Sequence, residues 1–599
     1  MQYVSKRNLK FLVGEMLDLH HLKNQSYYAD FDPELSDLAI DAAKQLGDQY
    51  LFPHYRIMDK EKAYYKDGEV KVKAAVGEGM RAMGAGGWLT ADWDYEDGGQ
   101  RMPLTVMNAG KFILLAANGN ITAYGGLTSG AANLIRNFAS DELKKTYLPK
   151  MASGHWQGTM ALTEPQAGSS LSDITTTAEK REDGSYAIKG QKIYISGGDH
   201  DSVENVVHLL LARHPEGPVG TKGISLFIVP KYRPGTNGEL IDNHVTTAGI
   251  YGKMGQKGYV AAHLMYGEQG ETVGYLVGQE RRGLANMFQM MNEARIATGL
   301  MAASTASAAY YSSLQYANER PQGRHPDSKD ATSPQVTIIE HADVRRMLLF
   351  QKAVVEGSIA LLLQCSYYED LAGHADDEAT RKDYHLLLEL LTPIAKSYPA
   401  EYGNLSVSMG MQVLGGAGYC DDFPLEQHYR DIRVNSIYEG TTTIHGLDLM
   451  GRKIVMEDGK ALDLLLKEVM ETIASAGDLN VARELSGQLQ AQLQKLGDTM
   501  QKLKEVAMTH GPRAYLADAS IFLEYFSLYV MAWQWLKQTI AAEKAMVSAA
   551  GEEEKRFYRS KIQTAQYFYA YEFTKAAGLR ATLLDGRQVS FKFAAEDFV

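Results

Sequence analysis

The 599-residue chain lacks the features that mark several functional classes. It has only two cysteines, Cys365 and Cys420, too few for a disulfide framework and without metal-ligand spacing, so a reducing cytoplasm is the expected setting. Sixteen prolines in such a length suit a helix-rich protein. Basic charge is in deficit: 61 Lys and Arg stand against 73 Asp and Glu, a formal net charge of −12. A general nucleic-acid binder needs clustered Lys and Arg, so that class is not expected. No apolar run reads as long enough to span a bilayer. Near the N-terminus, Lys6, Arg7 and Lys10 precede Phe11-Leu12-Val13, but Glu15 and Asp18 break the run, which makes a poor signal peptide. Internal repeats and low-complexity segments are missing too.

What is there reads as a multi-domain globular protein. Apolar residues make up 45% and charged residues 22%, ordinary values for a chain that buries ample core. Leu9, Leu12, Met16 and Leu19 recur at helical spacing and predict one amphipathic helix over residues 5–23. Asp32-Pro33-Glu34 starts a mainly helical region through residue 150, punctuated by loops at 84–88 and 98–103. Its last helix runs from Ser140 to a stop at Pro149. The period then changes. Val206–Ala212 and Ile224–Pro230 are short runs of β-formers, and residues 157–272 read as a β-domain. Helical spacing returns at Leu284 and continues to 455, around a polar loop at 321–335. The last 145 or so residues are helical again. The expected division is 1–156, 157–280, 281–455 and 456–599.

Three stretches carry chemistry. In Ile437-Tyr438-Glu439-Gly440-Thr441-Thr442-Thr443, a lone carboxylate stands beside a glycine that lets the backbone approach a ligand. The threonine hydroxyls can hold phosphate or ribose oxygens. Such a carboxylate suits a general base, although a solvated loop glutamate is the competing reading. Thr163-Glu164-Pro165-Gln166-Ala167-Gly168-Ser169 offers hydroxyls and close backbone to a pyrophosphate, or else a plain surface turn. Gln412-Val413-Leu414-Gly415-Gly416 offers backbone amides to phosphate, or a helix C-cap.

Together these stretches resemble the acyl-CoA dehydrogenase family of flavoenzymes over roughly residues 30 to 455. The resemblance implies a mainly α fold with a central β-domain: an N-terminal helical domain, a β-barrel-like middle domain, a C-terminal four-helix bundle and, here, an extra C-terminal helical extension. It implies FAD as cofactor, held by Met160, Leu162, Thr163, Gly168, Ser169, Tyr194, Ser196, Thr441 and Thr443. Arg320, Gln322, Gln412, Gly415 and Gly416 match positions that receive the pyrophosphate and ADP half from a neighbouring subunit. Ser169, Asn292, Arg295 and Gly440 match acyl-CoA contacts. Glu439 matches the base that removes the thioester α-proton, with its own backbone N–H and a ribityl hydroxyl polarising the thioester oxygen. There are departures: Ser170 replaces an acid, Tyr194 a tryptophan and Gln427 a basic residue, and the phenylalanine of the Arg-x-Gln-Phe-Gly run is absent.

The runs Ile195–Asp201, Gly220–Phe227 and Ile339–Leu348 are similar to a long bacterial branch typified by 3-methylmercaptopropionyl-CoA dehydrogenase. That likeness implies α,β-desaturation of an acyl-CoA to a trans-2-enoyl-CoA, on thioether or short- to medium-chain substrates. It also implies a homodimer served by an electron-transfer flavoprotein. His200, in a turn shared by that branch, is expected to be structural. The competing functions are an acyl-CoA oxidase, which would consume oxygen, and a DNA-binding alkylation-response flavoprotein, which would need a basic surface.

Overall fold

The computed structural model describes residues 2–599 apart from Thr236, Gln289, Met290, Ser328, Lys329 and Ala331; the side chains of Phe288 and Met291 are also outside the description. Ser328, in the predicted polar loop, is therefore outside the described residues. The chain packs as two compact units, one of residues 41–102 and 110–294, the other of residues 1–40, 103–109 and 295–599.

The first unit is built on an eight-stranded sheet. Its strands are β1 (Trp156–Ala161), β2 (Thr177–Lys180), β3 (Tyr186–Ser196), β4 (Asn205–Arg213), β5 (Ile224–Pro230), β6 (Val245–Ile250), β7 (Ala261–Tyr266) and β8 (Thr272–Val277). They run in the order β6-β7-β3-β8-β5-β4-β1. Short β2 pairs antiparallel with β3 and touches β4 in parallel, which closes part of the sheet into a barrel. Strands β4 and β5 are buried almost end to end, which explains why they read as unbroken apolar runs. The core here is Leu209, Leu211, Leu226 and Ile228 against Ile135, Tyr147 and Trp93. Helix α1 (Leu104–Phe138), whose residues through Ala109 belong to the other unit, is broken at Asn118, whose φ of −163° is extended. The Asn118 carboxamide restarts the helix by accepting from Asn120 N at 3.1 Å and Ile121 N at 3.3 Å, as a capping residue does.

The second unit is helical. Its main elements are α2 (Met291–Glu319), α3 (Ala342–His374), α4 (Glu378–Leu414), α5 (Leu425–Ile432), α6 (Thr442–Gly451), α7 (Lys460–Ser475), α8 (Asn480–Tyr515), α9 (Ala519–Met546) and α10 (Glu552–Tyr567); the first residues of α2 belong to the other unit. Against expectation, α3 is long and apolar enough to cross a membrane, with a mean hydropathy of 1.4 over its best window. That window is 89% buried inside the protein. Buried Gln351, Glu356, Gln364 and Asp370 on the same helix mark it as a core helix. Asp370 accepts from Tyr28 Oη, Leu104 N, Thr105 N and Thr105 Oγ1 at 2.7–3.1 Å, so it stitches three stretches of chain together.

Two local expectations are corrected. Residues 5–23 are not one helix: an α-helical turn Lys6–Lys10 passes into a wide π segment Phe11–Met16, and Asp18 stops it with φ 52°. Packing overrides the helical period there: Leu9, Phe11, Leu12 and Val13 are all buried, and Phe11 meets Phe557 of α10 edge-on at 5.5 Å. Pro149 does not end its helix, which runs Asp141–Ala152, because its ring is accommodated inside the last turns.

Candidate active site

The stretch 437–443 leads into α6, with Thr441 as the N-cap residue. Glu439 has φ 54° and Gly440 has φ 87°, two left-handed residues in succession. For a glutamate this backbone costs about 1–2 kcal/mol, and such strain concentrates at functional sites. Among the described residues the Glu439 N–H makes no hydrogen bond, so it is available to a ligand. The Glu439 side chain is open to solvent in the uncomplexed chain, yet protein surrounds it on enough sides that burial raises its carboxyl above the ordinary carboxylate value. Arg295 and Lys396 pull the other way and are outweighed.

Two buried cations, Arg295 and Lys396, act on this loop, and a third, Lys453, lies near Arg295. Arg295 on α2 pairs with Asp448 of α6 at 2.9 Å, and its Nε has no partner. Lys396 on α4 donates to the Gly440 carbonyl at 2.8 Å. Lys453 pairs with Glu389 of α4. Burial depresses both lysines to about 8. His445, fully buried on α6, donates from Nε2 to the Glu439 carbonyl at 3.0 Å. Burial with Arg295 and Lys396 nearby pushes His445 down to about 3, so its ring is neutral. Tyr438 donates to Asn435 at 2.9 Å. Thr441 is exposed and uncapped, and Thr443 meets Ser520 at 3.3 Å.

The second group of expected residues lies on the sheet of the other unit. Met160 is the next-to-last residue of β1, Leu162 and Thr163 follow the strand, and Tyr194 and Ser196 lie at the end of β3. Tyr194 is 58% exposed, an unusual state for a tyrosine on a strand, and its φ is 57°. Its ring leans on Tyr251 with centroids 4.2 Å apart. Behind this face lies a polar anchor that sequence reading missed. Glu164 and Lys192 are both buried, 2.8 Å apart. Glu164 also accepts from Thr175 N at 2.6 Å, Thr175 Oγ1 at 2.8 Å, Thr176 N at 3.1 Å and Gln166 Nε2 at 2.9 Å. Lys192 donates further to the Leu162 carbonyl at 3.0 Å. The pair thereby pins the 162–176 segment to β3. Nothing but Glu in a turn and Lys in a strand signalled it.

The third group is on the helical unit's surface. Arg320 and Gln322 are exposed, and their backbone is fixed to Ile338 and Val336 at 2.9 Å. Gly415 terminates α4 with φ 60°, and a side chain at Gly415 or Gly416 would meet open space. Gln412 beside them is exposed. Asn292 and Arg295 share α2 but fall in different units, and Arg295 is committed to Asp448 rather than solvated. His200 is buried edge-on to Tyr124 at 4.9 Å and pushed down to about 4 by burial, a packed histidine as expected.

Four models cover most of the chain: acyl-CoA dehydrogenase N-terminal domain at 36–155, middle domain at 159–266, C-terminal domain at 281–454, and acetyl-CoA dehydrogenase C-terminal like at 465–593. The chain is 34% identical to 3-methylmercaptopropionyl-CoA dehydrogenase of Ruegeria pomeroyi over 94% of both chains. The chain belongs to the acyl-CoA dehydrogenase family. A butyryl-CoA dehydrogenase of Syntrophomonas wolfei is 32% identical over 94% of this chain and 93% of its own. Among solved structures, Caenorhabditis elegans ACDH-11 in complex with C11-CoA superposes with TM-score 0.73, at 18% identity, over 97% of this chain and 94% of that one.

This acyl-CoA dehydrogenase is an oxidoreductase acting on acyl-CoA, and its cofactor is FAD. The residues present fit that cofactor. Among the described residues the hydroxyls of Thr163, Ser169 and Ser196 have no protein partner, and space is open at Gly168 where a Cβ would stand. The exposed Tyr194 ring offers an aromatic face beside them.

Proposed function

We propose that this acyl-CoA dehydrogenase removes the α-proton of a short- to medium-chain or 3-methylmercaptopropionyl thioester with Glu439 as base, yielding the trans-2-enoyl-CoA. The observation that carries the reading is the Glu439 loop: a carboxylate of raised proton affinity next to its own unbonded N–H. A thioester α-proton is a poor acid, and a base of raised pKa at close range suits it. The Glu439 N–H donates to the thioester oxygen as negative charge grows there. FAD, when bound, would supply the two-electron oxidant for the β-hydrogen. Met160, Leu162, Thr163, Gly168, Ser169, Tyr194, Ser196, Thr441 and Thr443 hold that cofactor. Arg320, Gln322, Gln412, Gly415 and Gly416 reach the cofactor of a second copy, so the working form is a homodimer. Their exposure, with no protein partner for the Arg320 guanidinium among the described residues, supports this. Ser169, Asn292, Arg295 and Gly440 belong to the thioester side, Arg295 by holding α6 through Asp448. The domain division 1–156, 157–280, 281–455 and 456–599 goes with this reading. So do an electron-transfer flavoprotein as acceptor and a cytoplasmic setting.

The substrate class rests on the relatives named 3-methylmercaptopropionyl-CoA and butyryl-CoA dehydrogenase. Anaerobic titration with butyryl-CoA, octanoyl-CoA and methylthiopropionyl-CoA tests it. Bleaching of the bound flavin by one of these, lost in Glu439→Gln, is the expected result. A flavin-loaded protein that none of them bleaches refutes the substrate class, and bleaching that persists in Glu439→Gln refutes the base.

A further inference from the structure

The loop that carries Glu439 is gripped at two successive carbonyls by two buried side chains from different helices. Lys396 is fully buried on α4, and its Nζ donates to the Gly440 carbonyl at 2.8 Å. His445 is fully buried on α6, and its Nε2 donates to the Glu439 carbonyl at 3.0 Å. Among the described residues no carboxylate lies within 4.0 Å of Lys396 Nζ. A buried ammonium is costly, and here it is spent on a backbone carbonyl rather than an ion pair. The local fold puts it there deliberately. Pro399 has no N–H to give Ala395, four residues back, and Gly299 of α2 fills that gap so closely that a Cβ would come within 2.2 Å of the Ala395 oxygen. Lys396 is the next residue, aimed at the loop.

We propose that Lys396 and His445 are positioning residues that lock the left-handed backbone of Glu439 and Gly440, fixing where the carboxylate and the Glu439 N–H point. This rests on the reading of Glu439 as the base. A residue with φ 54° and an N–H free of protein partners has little of its own to hold it in place. The two grips supply that, and the fit is tight: a Cβ at Gly440 would lie 3.1 Å from His445 Nε2. Lys396 has a second effect through its charge. The charged groups facing the loop are Arg295 from α2, Lys396 and Glu401 from α4, and Asp448 with neutral His445 from α6. Lys453 joins them through Arg295. Of these, Lys396 and Arg295 hold down the proton affinity of Glu439. Removing Lys396 therefore raises it further.

The test uses the FAD-loaded enzyme and four variants: Lys396→Met, His445→Leu, His445→Gln and Glu439→Gln. Losing one charged or buried hydrogen bond that acts on the base should lower kcat about 10- to 100-fold. Lys396→Met and His445→Leu should show this with KM for the acyl-CoA within about twofold, since the Glu439 N–H bond to the thioester oxygen strengthens chiefly as charge grows in the transition state. Lys396→Met should also move the acidic limb of the kcat profile to higher pH, which a merely structural lesion would not do. His445→Gln keeps an amide N–H for the same carbonyl and should recover most of the loss. Wild-type kcat in His445→Leu, or an equal loss in His445→Gln and His445→Leu, overturns the proposal. So does a Lys396→Met enzyme whose acidic limb stays in place. Should Lys396→Met fail to fold, the His445 pair decides alone. Glu439→Gln separates the two levels: retained turnover there sinks the base itself, while lost turnover there beside intact grip variants sinks only the grip.

Discussion

Replacing Lys192 by methionine isolates the cost of an uncompensated charge in the β-unit. Glu164 would remain buried, with four donors left, but without the ammonium 2.8 Å away. Breaking a buried pair from one side costs about 3–5 kcal/mol, because the abandoned ion stays desolvated. The intact pair is worth much less. Burial opposes ionisation of Glu164, but Lys192 and the hydrogen-bond donors prevail and hold its carboxyl down at about 2. Burial meanwhile depresses Lys192 to about 8, so one partner's gain is largely the other's loss. The double variant Glu164→Gln/Lys192→Met should therefore lie within about 1–2 kcal/mol of the wild type, well short of the sum of the single changes. Thermal release of flavin, followed by fluorescence, reads the effect in the unit that holds these residues. The pH sign follows from the carboxyl. A pKa lowered from 4.5 to about 2 gives stability that is fully present above pH 4.5 and lost as pH falls through about 2, worth about 3 kcal/mol at full extent. Lys192→Met should flatten that acid loss. A single variant as stable as the wild type, or a double variant as poor as both singles added, would refute the reasoning.

Glu439→Gln should keep its flavin and lose at least about 10²–10⁴ of kcat, the usual share of a positioned base, measured by dye-coupled turnover. In the wild type, the acidic limb of kcat should fall above the ordinary carboxylate range, because burial raises Glu439; a limb near 4 contradicts this. Gly440→Ala forces a side chain into φ 87° and against His445, so kcat should drop with a loss of about 1–3 kcal/mol in stability. Lys561→Met removes an ammonium bonded to Glu356 at 2.7 Å and Gln538 at 2.9 Å, and also to Asn8; limited proteolysis should then clip the C-terminal helices sooner, with about 3 kcal/mol lost.

Much of this was legible in the chain because it is written in short-range patterns. The apolar β-runs at 206–212 and 224–230 became β4 and β5, and the long helical spacings after 284 became α2 to α4. The Glu439 loop stood out only in company with the stretches at 163–169 and 412–416; taken alone it reads as a turn with a solvated acid. What stayed hidden depends on partners far away in sequence. Lys192 reads as a strand lysine until it is seen against Glu164. Lys396 reads as a charge on a helix until its Nζ is found at the Gly440 carbonyl. The break of the 5–23 helix at Asp18 likewise goes with the burial of Leu9, Phe11, Leu12 and Val13, Phe11 against distant α10, which no local period records.

Arg7 donates to Glu554 across 547 residues of sequence, at 2.8 Å. A ribosome adding roughly 5–20 residues per second needs on the order of half a minute to two minutes between those two codons. For that interval the N-terminal segment carries Leu9, Phe11, Leu12 and Val13 with no finished surface to cover them. The β-unit, complete once residue 294 has emerged, has nearly half of that time to fold by itself. Residues 9–13 are thus made long before the helix that Phe11 packs on, and through that interval the nascent chain presents them to chaperones.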